Sequence, residues 1–102
     1  MGYYLINIGP HHLNQSGNAA RGYWIRRQGK TVRRTFGAVD VVGARGGRYY
    51  WHGKPKTQVD PCPTVADAIE LVNRILHEKQ THASRGTYTV LARPNKIHRR
   101  QR

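Results

Sequence analysis

The sequence has one cysteine, Cys62, so it can form no internal disulfide, and it lacks the paired thiols of a CxxC metal site. A reducing compartment suits such a chain: the cytoplasm, association with a nucleoid, or the nucleus if the source is eukaryotic. Residues 1–12, MGYYLINIGPHH, show neither the basic n-region nor the apolar h-region of a secretory signal, so secretion is not expected. Ile6 stands where a myristoylation signal wants Ser or Thr. No apolar run approaches the roughly 18 residues of a membrane span, and a membrane partner is not expected either.

Acidic residues are scarce. Five Asp and Glu stand against eighteen Lys and Arg, for a net charge of +13 and a pI near 11.0. Asp67, Glu70 and Glu78 fall in a helical stretch where capping and ion pairing explain them, and Asp40 and Asp60 have no evident partner carboxylate or nucleophile. The chain contains no Gly-rich phosphate loop, no triad order and no HExxH. These absences argue against an enzyme, a cofactor and a small-molecule substrate. The six histidines do not form a ligand set: His11 and His12 are adjacent, and His77 and His82 are off the i, i+4 spacing. A metal site is therefore not expected. His11, His12 and His98 instead add positive charge below about pH 6.5.

A charge excess of one sign weakens the compact state by self-repulsion, and a polyanionic partner removes that penalty. Nucleic acid is the partner this balance favours. An acidic protein is the alternative.

At 102 residues the chain is read as one domain, residues 1–92, followed by a basic tail, 93–102. Nine aromatics (six Tyr, two Trp, one Phe) argue for a packed interior. Residues 3–8, 22–27, 30–36, 38–43, 48–53 and 87–92 read as strands from their aromatic and β-branched content and the turn residues between them. Residues 54–63, KPKTQVDPCP, hold three prolines and read as a connector. RGGR at 45–48 reads as a hairpin turn whose Arg45 and Arg48 face solvent.

The helix signal covers residues 64–82. Thr64 is its expected N-cap, with Asp67 three residues on. Val65, Ala68, Ile69, Val72, Ile75 and Leu76 form one apolar stripe, with Leu71 at its edge. Glu70 and Arg74 make an i, i+4 pair on the far side. The fold class these elements predict is α+β: a single antiparallel β-sheet of about five to six strands packed against one α-helix.

Residues 22–37, GYWIRRQGKTVRRTFG, hold five cations and no acid. With Gln28-Gly29 as a two-residue turn, Arg27 pairs with Lys30, Ile25 with Val32 and Trp24 with Arg33. The apolar face then carries Ile25 and Val32, under the helix. Trp24, Arg26, Arg33 and Thr35 turn outward together, an arrangement suited to stacking on bases and holding phosphates.

The motif order also resembles the WGR domain. RGYWIRR is followed by GKTVRRTFGAVDVVG, a connector and the helical ADAIELVNRILHEKQTHASRGTY, so the likeness covers roughly residues 14–88. Phe36-Gly37-Ala38 occupies the positions of the Trp-Gly-Arg signature. WGR domains occur in poly(ADP-ribose) polymerases, where they bind DNA ends, and in small bacterial proteins. The resemblance implies a DNA-binding module in which Phe36 supplies stacking. Ala38 cannot supply the family's arginine, so plain nucleic-acid binding is implied more than end recognition.

The expectation is thus a non-enzymatic nucleic-acid-binding protein, DNA favoured over RNA. Its contacts are expected from Trp24, Arg26, Arg27, Lys30, Arg33, Arg34, Phe36, Arg45 and Arg48, and from Arg99 and Arg100 of the tail.

Overall fold

A computed structural model describes residues 2–7, 19–42, 48–81, 87–92 and 95–99. Arg45 and Arg100 lie outside the described residues. The elements run β1 (Gly2–Asn7), β2 (Ala19–Gln28), β3 (Thr31–Val42), β4 (Arg48–Trp51), β5 (Lys56–Pro61), α1 (Val65–Thr81), β6 (Thr89–Val90) and β7 (Ile97–His98). Among the described residues the fold is α+β, with one sheet and one helix. α1 is not long and apolar enough to cross a membrane.

The sheet order is β6-β1-β2-β3-β4-β7, with β5 added beside the first half of β3. Three expectations change here. β7 joins β4 in parallel, so the sheet is mixed and not antiparallel throughout. Residues 56–61 are not a plain connector but an edge strand on Thr31–Phe36. Pro61 ends that strand at the sheet's rim, where a missing N–H costs the ladder little. The stretch expected to trail away after Arg93 also returns to the sheet. Ile97 is only 3% exposed, because a lone apolar side chain amid cations gains by entering a core.

β3 runs without a break through Gly37, where two strands were expected. Its apolar side changes there. Val32 and Phe36 belong to the helix side of the sheet, while Val39 and Val41 belong to the opposite side. The ladder alternates without a bulge, but the apolar residues pass from even to odd positions at Phe36-Gly37-Ala38, so one strand feeds two cores.

The first core sets Ala68, Val72 and Ile75 of α1 against Leu5, Tyr23, Ile25 and Val32. The second, on the other face, packs Ile6, Ala20, Val39, Trp51 and Ile97. Each fully buried branched side chain contributes about 1.5–3 kcal/mol, so two small cores together stabilise a chain of this size. α1 is built as its sequence suggests. The Thr64 hydroxyl accepts the Asp67 N–H at 3.1 Å, and Arg74 lies 3.8 Å from Glu70. Its covered strip is narrower than expected, because Val65 (42%) and Ile69 (44%) stay exposed.

The β2–β3 turn is Gly29-Lys30, with Gly29 at φ +59°. Gln28 therefore pairs with Thr31, Ile25 with Arg34, Trp24 with Thr35 and Arg26 with Arg33. Every expected partner has moved by two residues. A shift of two preserves the side of each side chain, so the expected division between faces stands while the partners do not.

Gly22 and Gly37 face each other in this ladder. A Cβ on Gly22 would come within 2.7 Å of Ile97 Cδ1 and closer still to Val39 Cγ2, so only glycine lets the second core close over β2. Gly22→Ala is expected to cost about 1–3 kcal/mol in denaturant unfolding through overpacking. Ile97→Ala is expected to cost about 2–4 kcal/mol. Wild-type stability in Ile97→Ala would show that residues past 92 do not contribute to the fold.

Candidate nucleic-acid interface

Trp24 sits on the face opposite the helix. It is not a free ring: it stacks on Tyr4, its cross-strand neighbour, with centroids 5.0 Å apart and planes 7° from parallel. The Arg26 guanidinium lies 3.8 Å from the Trp24 ring centroid. The cation expected against Trp24 was Arg33. The register instead gives Trp24 its own strand neighbour, two residues on and on the same side. Burial lifts the Tyr4 phenol above its ordinary pKa, against the lowering effect of nearby Arg26.

Arg26 and Arg33 are direct cross-strand partners on this face. Like charges placed opposite each other destabilise a sheet. The Nε of Arg33 is also shielded from solvent and has no hydrogen-bond partner. Both features suit an anion at this place.

Two cavities open on the same face. One, of about 680 Å³, holds Arg33, Gln28 and Asn95 at its end of the sheet. The other, of about 870 Å³, holds Lys54, Thr57, His98 and Arg99. Tyr4, Trp24, Arg26 and Lys96 line both, so the two cavities adjoin on this face and are taken together as a trough. No acidic residue lines either cavity.

The acids are all elsewhere. Asp40 and Asp60 share the pleat side of Val32 and Arg34, and Asp67, Glu70 and Glu78 are on α1. Asp60 accepts from Arg34 Nε at 2.9 Å, with Nη2 at 2.6 Å. Asp40 lies 3.1 Å from His52 Nδ1.

Of the expected contact residues, the trough brings together Trp24, Arg26, Arg33 and Arg99. Arg27 reaches its rim, and its Nη1 donates to the Gly29 carbonyl at 2.9 Å. Lys30 is exposed at the turn. Arg48 is exposed and pairs with Val42, so alternation puts it on the side away from Trp51. Thr35, expected outward, shares the trough side but is buried, with its Oγ1 3.2 Å from that of Thr57.

Arg34 and Phe36 belong to the helix side. Phe36 stacks on Tyr23 with centroids 5.6 Å apart, within reach of the first core. Arg34 is committed to Asp60 and donates to the Tyr23 hydroxyl at 3.4 Å. Burial alone would lower the Arg34 pKa, but Tyr23 and Asp60 outweigh it and hold the group above its ordinary value. Lys79 lies 4.7 Å from the Tyr23 ring centroid. Burial lowers its pKa, and Arg34 and Arg21 add to the effect.

Sequence reasoning passed over Tyr4 and Lys54, and included Lys96 only as part of the basic tail. Tyr4 carried a signal, since Gly2, Tyr4 and Ile6 alternate onto the side of Trp24 once β1 pairs with β2. Lys54 and Lys96 carried none, because Pro- and Asn-containing segments bring them in from distant parts of the chain.

Arg34→Met is expected to lower stability by about 1–2 kcal/mol, since it leaves Asp60 and Tyr23 with unmet bonds. Burial raises the Tyr23 phenol above its ordinary pKa, more than the Arg34 hydrogen bond and charge lower it. The folded chain thus keeps this proton where the unfolded chain has lost it. The resulting stability is complete below about pH 10 and is lost as pH rises through the folded value. Lys79, shifted down, has the opposite sign, so Tyr23 is read as wild type minus Tyr23→Phe. Denaturant unfolding at about pH 9 and about pH 11 should show that difference shrinking.

Comparison of the chain with protein-family models, with curated proteins and with solved structures gives no match.

Proposed function

We propose that this protein is a non-enzymatic nucleic-acid-binding module, with DNA as its first ligand. The observation that carries the reading is the acid-free trough, which joins aromatic rings to cations from β2, β3, the segment before β5 and the segment around β7. Rings in such a trough stack on bases of any sequence, and spaced cations follow the phosphates. The segregation of all five acids to the other side orients the molecule, so that the trough meets a polyanion first.

The motif order that resembles the WGR domain agrees with this at the level of a DNA-binding α+β module. The contacts proposed here are different, because Phe36 is turned into the helix-side core and Tyr4 with Trp24 supplies the aromatic surface.

Binding should be strongly salt-dependent. If about five phosphates are neutralised on duplex DNA, log affinity falls against log salt with a slope of roughly −4 to −5. Fluorescence anisotropy of a labelled oligonucleotide across a salt series measures it, and a slope near zero would remove the proposal. The double change Lys96→Glu with Arg99→Glu should weaken binding by on the order of tenfold or more, since both cations are exposed on the trough. Arg34→Met should leave affinity unchanged. Equal competition by heparin would mean that charge alone is read.

A further inference from the structure

The shape of the trough narrows the class of nucleic acid, and this step rests on the binding function proposed above. Duplex DNA is read by elements that project into its grooves: the major groove, about 12 Å wide, admits a helix or a two-stranded ribbon. Here the geometry is inverted. Trp24 and Tyr4 are half-buried and Trp51 is only 6% exposed, in a hollow of the curled sheet. Residues 53–57 border the hollow on one side and residues 95–99 on another. To touch these rings a base has to come down into the hollow. A base inside a duplex is stacked and paired and cannot do so, whereas an unpaired base can.

The dimensions agree. Each cavity, about 680 and about 870 Å³, falls in the range of roughly 300–1,000 Å³ that encloses a small organic molecule. Both are lined by Tyr4, Trp24, Arg26 and Lys96, so a chain that crosses these four residues would reach from one to the other. A chain of nucleotides has this form: flat units joined by evenly spaced anions. The cations are distributed to suit it, with Arg33 at one end, Arg26 and Lys96 at the middle, and Lys54 and Arg99 at the other end.

Arg33 gives the strongest local reason for an anion. Its Nε is shielded from solvent without a partner, and Arg26 stands directly across the ladder. A phosphate between the two guanidinium groups would relieve the like-charge opposition and add a charge-assisted bond to each. We propose that the trough on the face opposite α1 is a binding site for single-stranded nucleic acid, with the strand's bases against the exposed side of the Tyr4–Trp24 stack and its phosphates on Arg33, Arg26, Lys96, Lys54 and Arg99.

The test is competition against a labelled unpaired DNA strand of about 12 nucleotides, within the roughly 4–16 nucleotides of known single-strand sites. The competitors are the unlabelled strand and a duplex of the same sequence and length. The strand should compete at least tenfold better than the duplex. Its salt slope should be near −3.5, which follows from about five contacts on a single strand. Lys54→Ala with Lys96→Ala changes only exposed side chains and should bring the slope to about −2. Tyr4→Leu should weaken the strand by about 5- to 100-fold with the slope unchanged, since stacking releases no counterions. A duplex that competes as well as the strand or better would overturn this inference and leave nucleic-acid binding standing. Failure of both to bind would remove both. A slope that does not move in the lysine double variant would show that the strand lies elsewhere.

Discussion

The rest of this structure depends on the close approach of the second core to Gly22. Val39 and Ile97 occupy the space a side chain at that position would need, and Trp51 lies 3.1 Å from where its Cβ would stand. Gly37 faces Gly22 across the ladder, and the apolar side of β3 changes at the same place. Gly22 therefore lets Val39, Trp51 and Ile97 close an opposed core over β2, while the other end of the ribbon contributes to the helix-covered core.

The same arrangement separates charge. Acids occur only on α1 and on the helix-side register of β3 and β5, where Asp60 is held by Arg34 and Asp40 lies beside His52. The trough side is left with cations alone among its lining. Two of them, Arg26 and Arg33, are opposed in a way that costs the isolated protein stability. The arrangement is understandable where binding an anion offsets that cost, since a ligand that binds only the folded state stabilises it.

Much of the architecture was legible from local pattern. The helix was read to within a residue of each end, because its cap and its apolar spacing are local features. The division of the hairpin into two faces survived a wrong choice of turn. The turn is Gly29-Lys30 and not Gln28-Gly29, and the resulting shift by two residues leaves every side chain on its own side. The shift changed the cross-strand partners, so Trp24 faces Thr35 in place of Arg33 while its ring meets Arg26 and Tyr4, and β5 supplies Asp60 to Arg34. Arg34 and Phe36 lie outside the trough for a different reason: both share the pleat side of Val32, which the shift leaves unchanged.

What was not legible depends on contacts between distant parts of the chain. Prolines at 55, 61 and 63 hid an edge strand, because proline forbids a central strand but tolerates the end of a peripheral one. Ile97 is one apolar residue among cations, and only the hollow left by Gly22 makes it a core residue. By itself the sequence determined the excess of positive charge, the helix with its buried stripe, and the side of the sheet on which Trp24, Arg26 and Arg33 stand together. These follow from composition and from the two periods of helix and strand. Only the tertiary structure decided that this side is concave, that Lys54, Lys96 and Arg99 border it, and that no acid does. That side is assembled by long-range packing, with Val39, Trp51 and Ile97 against Gly22 and residues 53–57 and 95–99 at the border, and no periodicity within a segment encodes it.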